Sequence, residues 1–221
     1  MIYFAHKFLN DETHKDLRKR LLISSDWQDG IYSALGNAKE TKRNLELAPG
    51  ESHENFSNEI IEAFIKDDFL QFEVFPSKIF GLLFSRTGPG MYYKPHVDAI
   101  YQYGGEGRRD LSFTIFLNQP DEYKGGELVL NIPPEKKNIK LNAGEMIIYP
   151  TKYLHEVKEV IEGERMVCVG WIESQIADNE DRETLSMLRK GFNEIVQTHG
   201  ISSSTMKLMI AINNIHKRFI S

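Results

Sequence analysis

His96 and Asp98 stand two residues apart in KPHVDAIY (94–101), and together they could hold a metal ion. Residues i and i+2 of a strand project from one face, so an imidazole nitrogen and a carboxylate oxygen can converge on the same ion. The pair alone is weak evidence. Two histidines and one carboxylate make a facial triad that leaves three coordination positions open on Fe(II), so a second histidine is needed. The chain has seven histidines, which leaves His6, His14, His53, His155, His199 and His216 to choose from. His14, His199 and His216 lie in polar helical or linker contexts and read as solvated surface. His53 sits at the entry to a helix, and His6 on a first strand without supporting neighbours. His155 differs: it follows GEMIIYPTKYLH (144–155), where a strand ends at Pro150 and a short connection leads into the next. It is distant from His96 in sequence, and a closed barrel could set the two side by side. A half-buried, hydrogen-bonded histidine is its ordinary alternative.

Ten positions on, Arg165 heads the apolar strand RMVCVGWI (165–172). A guanidinium entering a barrel interior is costly unless it meets an anion, and a dicarboxylate would give it a planar, bidentate partner. The competing reading is a salt bridge to Glu162 or Glu164 at the strand's exposed end.

The elements that must position these groups fall into three zones. In the first, IYFAHKFL (2–9) reads as a strand, Asn10 as the cap of a helix through Leu22, and residues 36 to 54 as polar loop. Phe56, Ile60, Ile61, Phe64 and Ile65 then recur at helical spacing up to about Asp68. The middle zone holds short runs rich in Ile, Val, Phe and Tyr: KIFGLLFS, DLSFTIFLN, GELVLNI, NIKLN, EMIIYP and RMVCVGWI. Turn signals TGPG (87–90), YGGEG (103–107), YKGG (123–126), IPPEKK (132–137) and NAG (142–144) separate them. Many close-spaced strands without intervening helices predict an antiparallel sandwich or barrel. The last zone returns to helix. Leu185, Leu188, Phe192 and Ile195 form one stripe, His199-Gly200 a break, and Ser203 or Ser204 a cap for a second stripe of Leu208, Ile212, Ile215 and Phe219. Both stripes read as packing, against the barrel or against a second subunit in a homodimer.

The 221 residues can build a sizeable core, and 41% hydrophobic with 27% charged residues is ordinary globular composition. A net charge of −5 weighs against grip on a nucleic-acid backbone. Arg108-Arg109 and Lys136-Lys137 are short and read as solvated loop charge. The single cysteine, Cys168, excludes an intramolecular disulfide and reads as a buried small hydrophobe in a reducing compartment. No stretch has the length of a membrane span or the pattern of a signal peptide, so the expectation is a soluble cytoplasmic protein.

In fixed order, HVD (96–98), DLSFTIFL (110–117), YKGGELVL (123–130), LNAGEMIIYPTKYLHEV (141–157) and Arg165 resemble the PKHD-type hydroxylases, relatives of the prolyl and lysyl hydroxylases. The resemblance is dense from Lys78 to Ser174 and looser through both flanks. It implies a mainly β protein with helical flanks around a double-stranded β-helix (jelly-roll) core. The corresponding division is residues 1–77 as N-terminal strand and supporting helices, 78–175 as jelly-roll and 176–221 as a helical extension. It further implies Fe(II) held by His96, Asp98 and His155, with 2-oxoglutarate and O2 as cosubstrates and Arg165 on the far carboxylate of 2-oxoglutarate. L-ascorbate is an accessory cofactor in such a family. The activity implied is hydroxylation of a C–H bond, of a prolyl or lysyl side chain in a peptide or protein, with release of succinate and CO2. A sensing module without turnover, or an oxygenase of a small metabolite or nucleobase, are the other readings of such a barrel. Trp171 falls where related prolyl hydroxylases carry a tryptophan near the iron pocket. Phe116 departs from a tyrosine that some animal prolyl hydroxylases place on the cosubstrate, and Ser112 or Thr114, on the same strand face, could replace that hydroxyl. Tyr92-Tyr93-Lys94-Pro95 also departs from a more usual glycine-containing run.

Overall fold

The computed structural model describes residues 3–33, 38–101, 105 and 107–220. Strand β1 (Phe4–Lys7) leads into helix α1 (Asp11–Ile23), which Asn10 caps by accepting from the Thr13 amide at 2.9 Å. A short strand β2 (Trp27–Asp29) and a 3-10 turn (Gly30–Tyr32) follow.

The stretch expected as loop is more ordered than its composition suggests. Beyond residues 36 and 37, which lie outside the described residues, it contains α2 (Ala38–Thr41), β3 (Lys42–Arg43) and β4 (Leu45–Leu47). These strands are too short to show a period. Their partners make them strands: Lys42 pairs with Tyr93, and Leu45 with Arg86. Helix α3 (Glu51–Lys66) begins earlier than the loop reading allowed. Asp67 ends it and at once caps a further helix, α4 (Asp68–Glu73), by accepting from the Leu70 amide at 3.0 Å.

The middle zone is β5 (Pro76–Thr87), β6 (Tyr92–His96), β7 (Leu111–Phe116), β8 (Tyr123–Gly125), β9 (Leu128–Ile132), β10 (Glu135–Ile139), β11 (Glu145–Pro150), β12 (Leu154–Val157), β13 (Val160–Gly163) and β14 (Arg165–Ser174). The turns fall between these strands, with three qualifications: of YKGG, Tyr123–Gly125 form β8, so only Gly126 of that signal stands between strands. Residues 103, 104 and 106 of YGGEG lie outside the described residues, and the IPPEKK reversal is confined to Pro133-Pro134, because β10 already starts at Glu135. At YKGG, Gly125 and Gly126 have φ of 73° and 67°, a conformation glycine adopts without steric cost.

Every ladder between the named strands is antiparallel. A seven-stranded sheet runs β1-β11-β7-β14-β5-β4-β2, a five-stranded sheet runs β10-β9-β12-β6-β3, and β13 pairs with β8. The two larger sheets face each other as the expected jelly-roll. On the major sheet's outer face Phe113, Ile115, Met146, Met166, Cys168 and Ile172 pack with Leu17 and Leu21 of α1 and Phe56, Ile60 and Phe64 of α3. Cys168 is a free, fully covered thiol there, as its apolar surroundings implied. Between the sheets a smaller cluster of Phe116, Leu130, Ile132, Ile147 and Val167 closes one end of the roll.

Helices α5 (Asn179–His199) and α6 (Ser203–Phe219) form a hairpin that joins Phe75 and Ile176 through Leu185 and Ile212. The α6 cap is Ser202, one position before the expected serines. It exchanges hydrogen bonds with Thr205 in a capping box, which a serine at 203 or 204 could not form with that threonine. Among the described residues no helix is long and apolar enough to cross a membrane.

Candidate active site

Strand register brings His96 and His155 together. They are directly opposite in the β6–β12 ladder, and each strand is bonded on its flank to the rest of the minor sheet. Between Tyr93 and His96 the ladder skips a residue, so β6 bulges at Lys94-Pro95. A proline fits a bulge because no ladder hydrogen bond is asked of its nitrogen. The bulge turns Tyr93 and His96 to the same side, and their rings stack at 3.6 Å. This answers why a proline precedes the histidine: it re-aims the side chain into the roll.

The ligand atoms of His96, Asp98 and His155 all lie within 4.8 Å of one another. Asp98 Oδ1 is 3.7 Å from His96 Nε2 and 3.9 Å from His155 Nε2, beyond hydrogen-bond reach. Each ring nitrogen on the far side is committed: His96 Nδ1 donates to the Lys94 carbonyl at 2.8 Å, and His155 Nδ1 to the Tyr153 carbonyl at 3.0 Å. A carbonyl can only accept, so both protons sit on Nδ1 and both Nε2 lone pairs face Asp98. Burial, with neighbouring His155 acting in the same direction, pushes the His96 imidazolium down to about 4, which keeps the ring neutral near pH 7.

Asp98 is fixed from its other oxygen. Oδ2 accepts from Trp171 Nε1 at 2.9 Å and from Ser112 Oγ at 3.1 Å, and Ser112 is tied in turn to Thr151 at 3.0 Å. Two neutral imidazole lone pairs and one carboxylate oxygen, each oriented from behind, are a donor set that suits a divalent metal with several positions to spare. Trp171 owes its place to Gly81, which has φ of 63°. A Cβ there would lie 2.7 Å from the indole ring.

The cavity below the triad, about 470 Å³, is bounded by Leu128, Val157, Val167 and Val169 and reaches Arg165. Arg165 is 3% exposed, and its competing reading fails: Glu162 is bridged to Lys124 at 2.7 Å and Glu164 to Arg86 at 2.8 Å. Among the described residues no carboxylate pairs with Arg165, and its Nε has no hydrogen-bond partner. Burial lowers its pKa while Tyr123 and Tyr149 oppose that shift, and a guanidinium stays charged through such changes. A buried cation without an anion is what a carboxylate ligand would complete.

Other sequence readings sort differently. Ser112 serves Asp98, so of the two proposed hydroxyl substitutes only Thr114 remains free for the lower cavity. Tyr149 lines the same cavity, and burial holds its hydroxyl protonated. Tyr149 was not anticipated, although its alternation with Ile147 on β11 places it on the inner face. His14 is buried beside Gly144 rather than solvated, and His216 is half-buried against Arg189. His6 has a partner after all, Asp67 at 2.6 Å, and His53 holds the Leu82 carbonyl at 2.9 Å. Arg108 is locked onto Asp110 at 2.7 Å and Arg109 lies 3.9 Å over the Trp171 ring, so neither is loose loop charge.

A model of the 2OG-Fe(II) oxygenase superfamily matches residues 82–173. Over 216 residues, 97% of each chain, the sequence is 40% identical to a PKHD-type hydroxylase of Prochlorococcus marinus strain MIT 9313. Over 220 residues, 99% of each chain, it is 40% identical to another from strain MIT 9211. The chain belongs to the PKHD-type hydroxylases. As a PKHD-type hydroxylase it is a 2-oxoglutarate-dependent iron dioxygenase, and the triad fits the iron that the family requires. Solved structures share the fold at low identity. A Pseudomonas putida prolyl-4-hydroxylase aligns with a TM-score of 0.52 and 16% identity over 78% of this chain and 92% of that one. A Trichoplax adhaerens prolyl hydroxylase, in complex with a hypoxia inducible factor peptide fragment, aligns with a TM-score of 0.55 and 14% identity over 83% and 86%.

Proposed function

We propose that this PKHD-type hydroxylase adds one oxygen atom to a prolyl or lysyl side chain of a peptide or protein in the cytoplasm. His96, Asp98 and His155 hold the Fe(II), and Arg165 holds the distal carboxylate of 2-oxoglutarate. When bound, the iron and cosubstrate supply O2 activation coupled to oxidative decarboxylation, with succinate and CO2 released.

The chain's own groups do the positioning. The two Nδ1–H donations to main-chain carbonyls keep both Nε2 atoms available, and Trp171 with Ser112 holds Asp98 by one oxygen so that the other faces the ion. Arg165 offers a planar fork to the carboxylate, with the Thr114 and Tyr149 hydroxyls in the same cavity as the hydroxyl contribution. Leu128, Val157, Val167 and Val169 keep the span between them free of competing polar groups. No protein acid or base is required for this chemistry, and none is assigned.

The observation that carries this reading is the unpaired, buried Arg165 in the same cavity as the triad. A metal site alone would not need it. The peptide substrate follows the Trichoplax relative, whose fold is shared and whose ligand is a peptide. The test is to shift the iron-loaded protein from anaerobic to aerobic conditions with 2-oxoglutarate and L-ascorbate, then search lysate proteins by mass spectrometry. Succinate formation with an added oxygen on proline or lysine is expected. Added oxygen only on small metabolites would overturn the substrate class.

A further inference from the structure

The cavity that holds the triad has a second polar end for which the reaction just described has no use. Lys42 and Glu46 are 8% and 3% exposed, and both line this cavity. Lys42 Nζ donates to Ser33 Oγ at 2.7 Å and to Glu46 Oε1 at 2.5 Å. It also lies 5.5 Å from the centroid of the Tyr93 ring, whose other neighbour is the stacked His96. One aromatic ring therefore separates the ion pair from the triad. Glu46 Oε1 accepts a second hydrogen bond, from Asn44 Nδ2 at 3.3 Å. Among the described residues no donor reaches its Oε2.

A buried ion pair is an expensive way to build a wall, since apolar side chains of similar volume would close it without the desolvation cost. What the pair provides is a donor beside an acceptor. An ammonium has three hydrogens, two of which are committed here, and among the described residues nothing donates to the Glu46 Oε2 lone pairs. One residue of an extended chain turns its C=O and N–H to the same side, which matches that arrangement.

Glu46 also lines a second cavity of about 750 Å³, and the two cavities share Ser33, Gly81 and Leu83 in their walls. A chain leaving the iron pocket past Glu46 thus has room to continue. A small metabolite would have no need of that space. Within the second cavity His53 already occupies the Leu82 carbonyl, so side chains rather than pairing with β5 must hold a visitor there.

We propose, resting on the reading that a peptide is oxidised at this iron site, that Lys42 and Glu46 form a main-chain subsite. They take the C=O and N–H of an extended residue flanking the oxidised one and direct the peptide into the second cavity.

The probe is a pool of nonapeptides with central proline or lysine and randomised flanks, given to the iron-loaded full chain with 2-oxoglutarate. The double variant Lys42→Met/Glu46→Gln keeps the side-chain volumes and removes both charges. Its kcat/KM for the best-oxidised peptide is expected to fall about tenfold, through KM, as for the loss of charge-assisted hydrogen bonds. The KM for 2-oxoglutarate is the internal reference and is expected to hold. An undiminished peptide kcat/KM overturns the subsite. Native protein that forms succinate but oxidises no peptide overturns the subsite and the peptide class while sparing the iron reading; absence of succinate sinks the iron reading itself. Should the double variant not fold, the native protein answers through peptides carrying benzoylphenylalanine two residues from the centre. Photo-adducts on residues 42–46 or 79–83 are expected, and adducts confined to other walls contradict the proposal.

Discussion

On the helix side of the seven-stranded sheet, Phe113, Ile115, Met146, Met166, Cys168 and Ile172 are almost wholly covered and form one apolar cluster. One step along the same strands, Ser112, Thr114, Tyr149, Arg165 and Trp171 line the cavity. The backbone is common to both faces, and strand parity alone separates them. The outer face is satisfied by contact with α1 and α3. The inner face is satisfied by specific polar pairs, with Trp171 and Ser112 on Asp98. Among the described residues of this face Arg165 is left without an anion, so the inner face is complete as a binding site and incomplete as a core. Stability should therefore reside mainly on one side of the sheet and chemistry on the other.

That separation can be broken in graded steps. The largest effect is expected from Asp98→Ala, which should reduce succinate formation below detection while the thermal midpoint moves little; a collapsed melting transition would mean that the triad also holds the fold. On the opposite face, Phe113→Ala should cost about 3–5 kcal/mol in chemical denaturation, the usual loss for a buried phenylalanine. The folded fraction should still bind one metal ion per chain. Arg165→Met should raise the KM for 2-oxoglutarate about 30-fold, equivalent to roughly 2 kcal/mol for a lost charged hydrogen-bonding partner. Removing an uncompensated buried charge should leave the ligand-free protein no less stable, and a lower denaturation midpoint would show that Arg165 belongs to the core. The smallest effect is expected from Trp171→Phe, which keeps the ring beside Gly81 and deletes one donor to Asp98. Metal affinity, read by equilibrium titration, should weaken about tenfold.

The sequence carried the site more legibly than it carried the scaffold's first third. His96 and Asp98 were readable as a pair but not through a shared strand face, since β6 ends at His96 and Asp98 follows it in a loop; Arg165 was readable because a cation heading an apolar run needs a reason. Ser112 was readable only as a hydroxyl on the right face; its commitment to Asp98 depends on a loop whose path no periodicity encodes. The strands at Lys42–Arg43 and Leu45–Leu47 exist because Tyr93 and Arg86 pair with them, 41 or more positions away, and two or three residues carry no detectable alternation. Helix α4 was hidden for a local reason: Asp67 both stops one helix and starts the next, so the signal for an end concealed a beginning. His14 was misjudged because lysine, aspartate and threonine surround it in sequence, while in space it is buried against the Gly144 turn.

Anaerobic titration with Fe(II), followed calorimetrically, is the most direct measurement of whether three separate side chains form one metal centre. Native protein should take up a single ion per chain, and His155→Ala should lose that uptake although it leaves the neighbouring His96 and Asp98 in place. Unchanged stoichiometry and affinity in the His155 variant would contradict the centre described above.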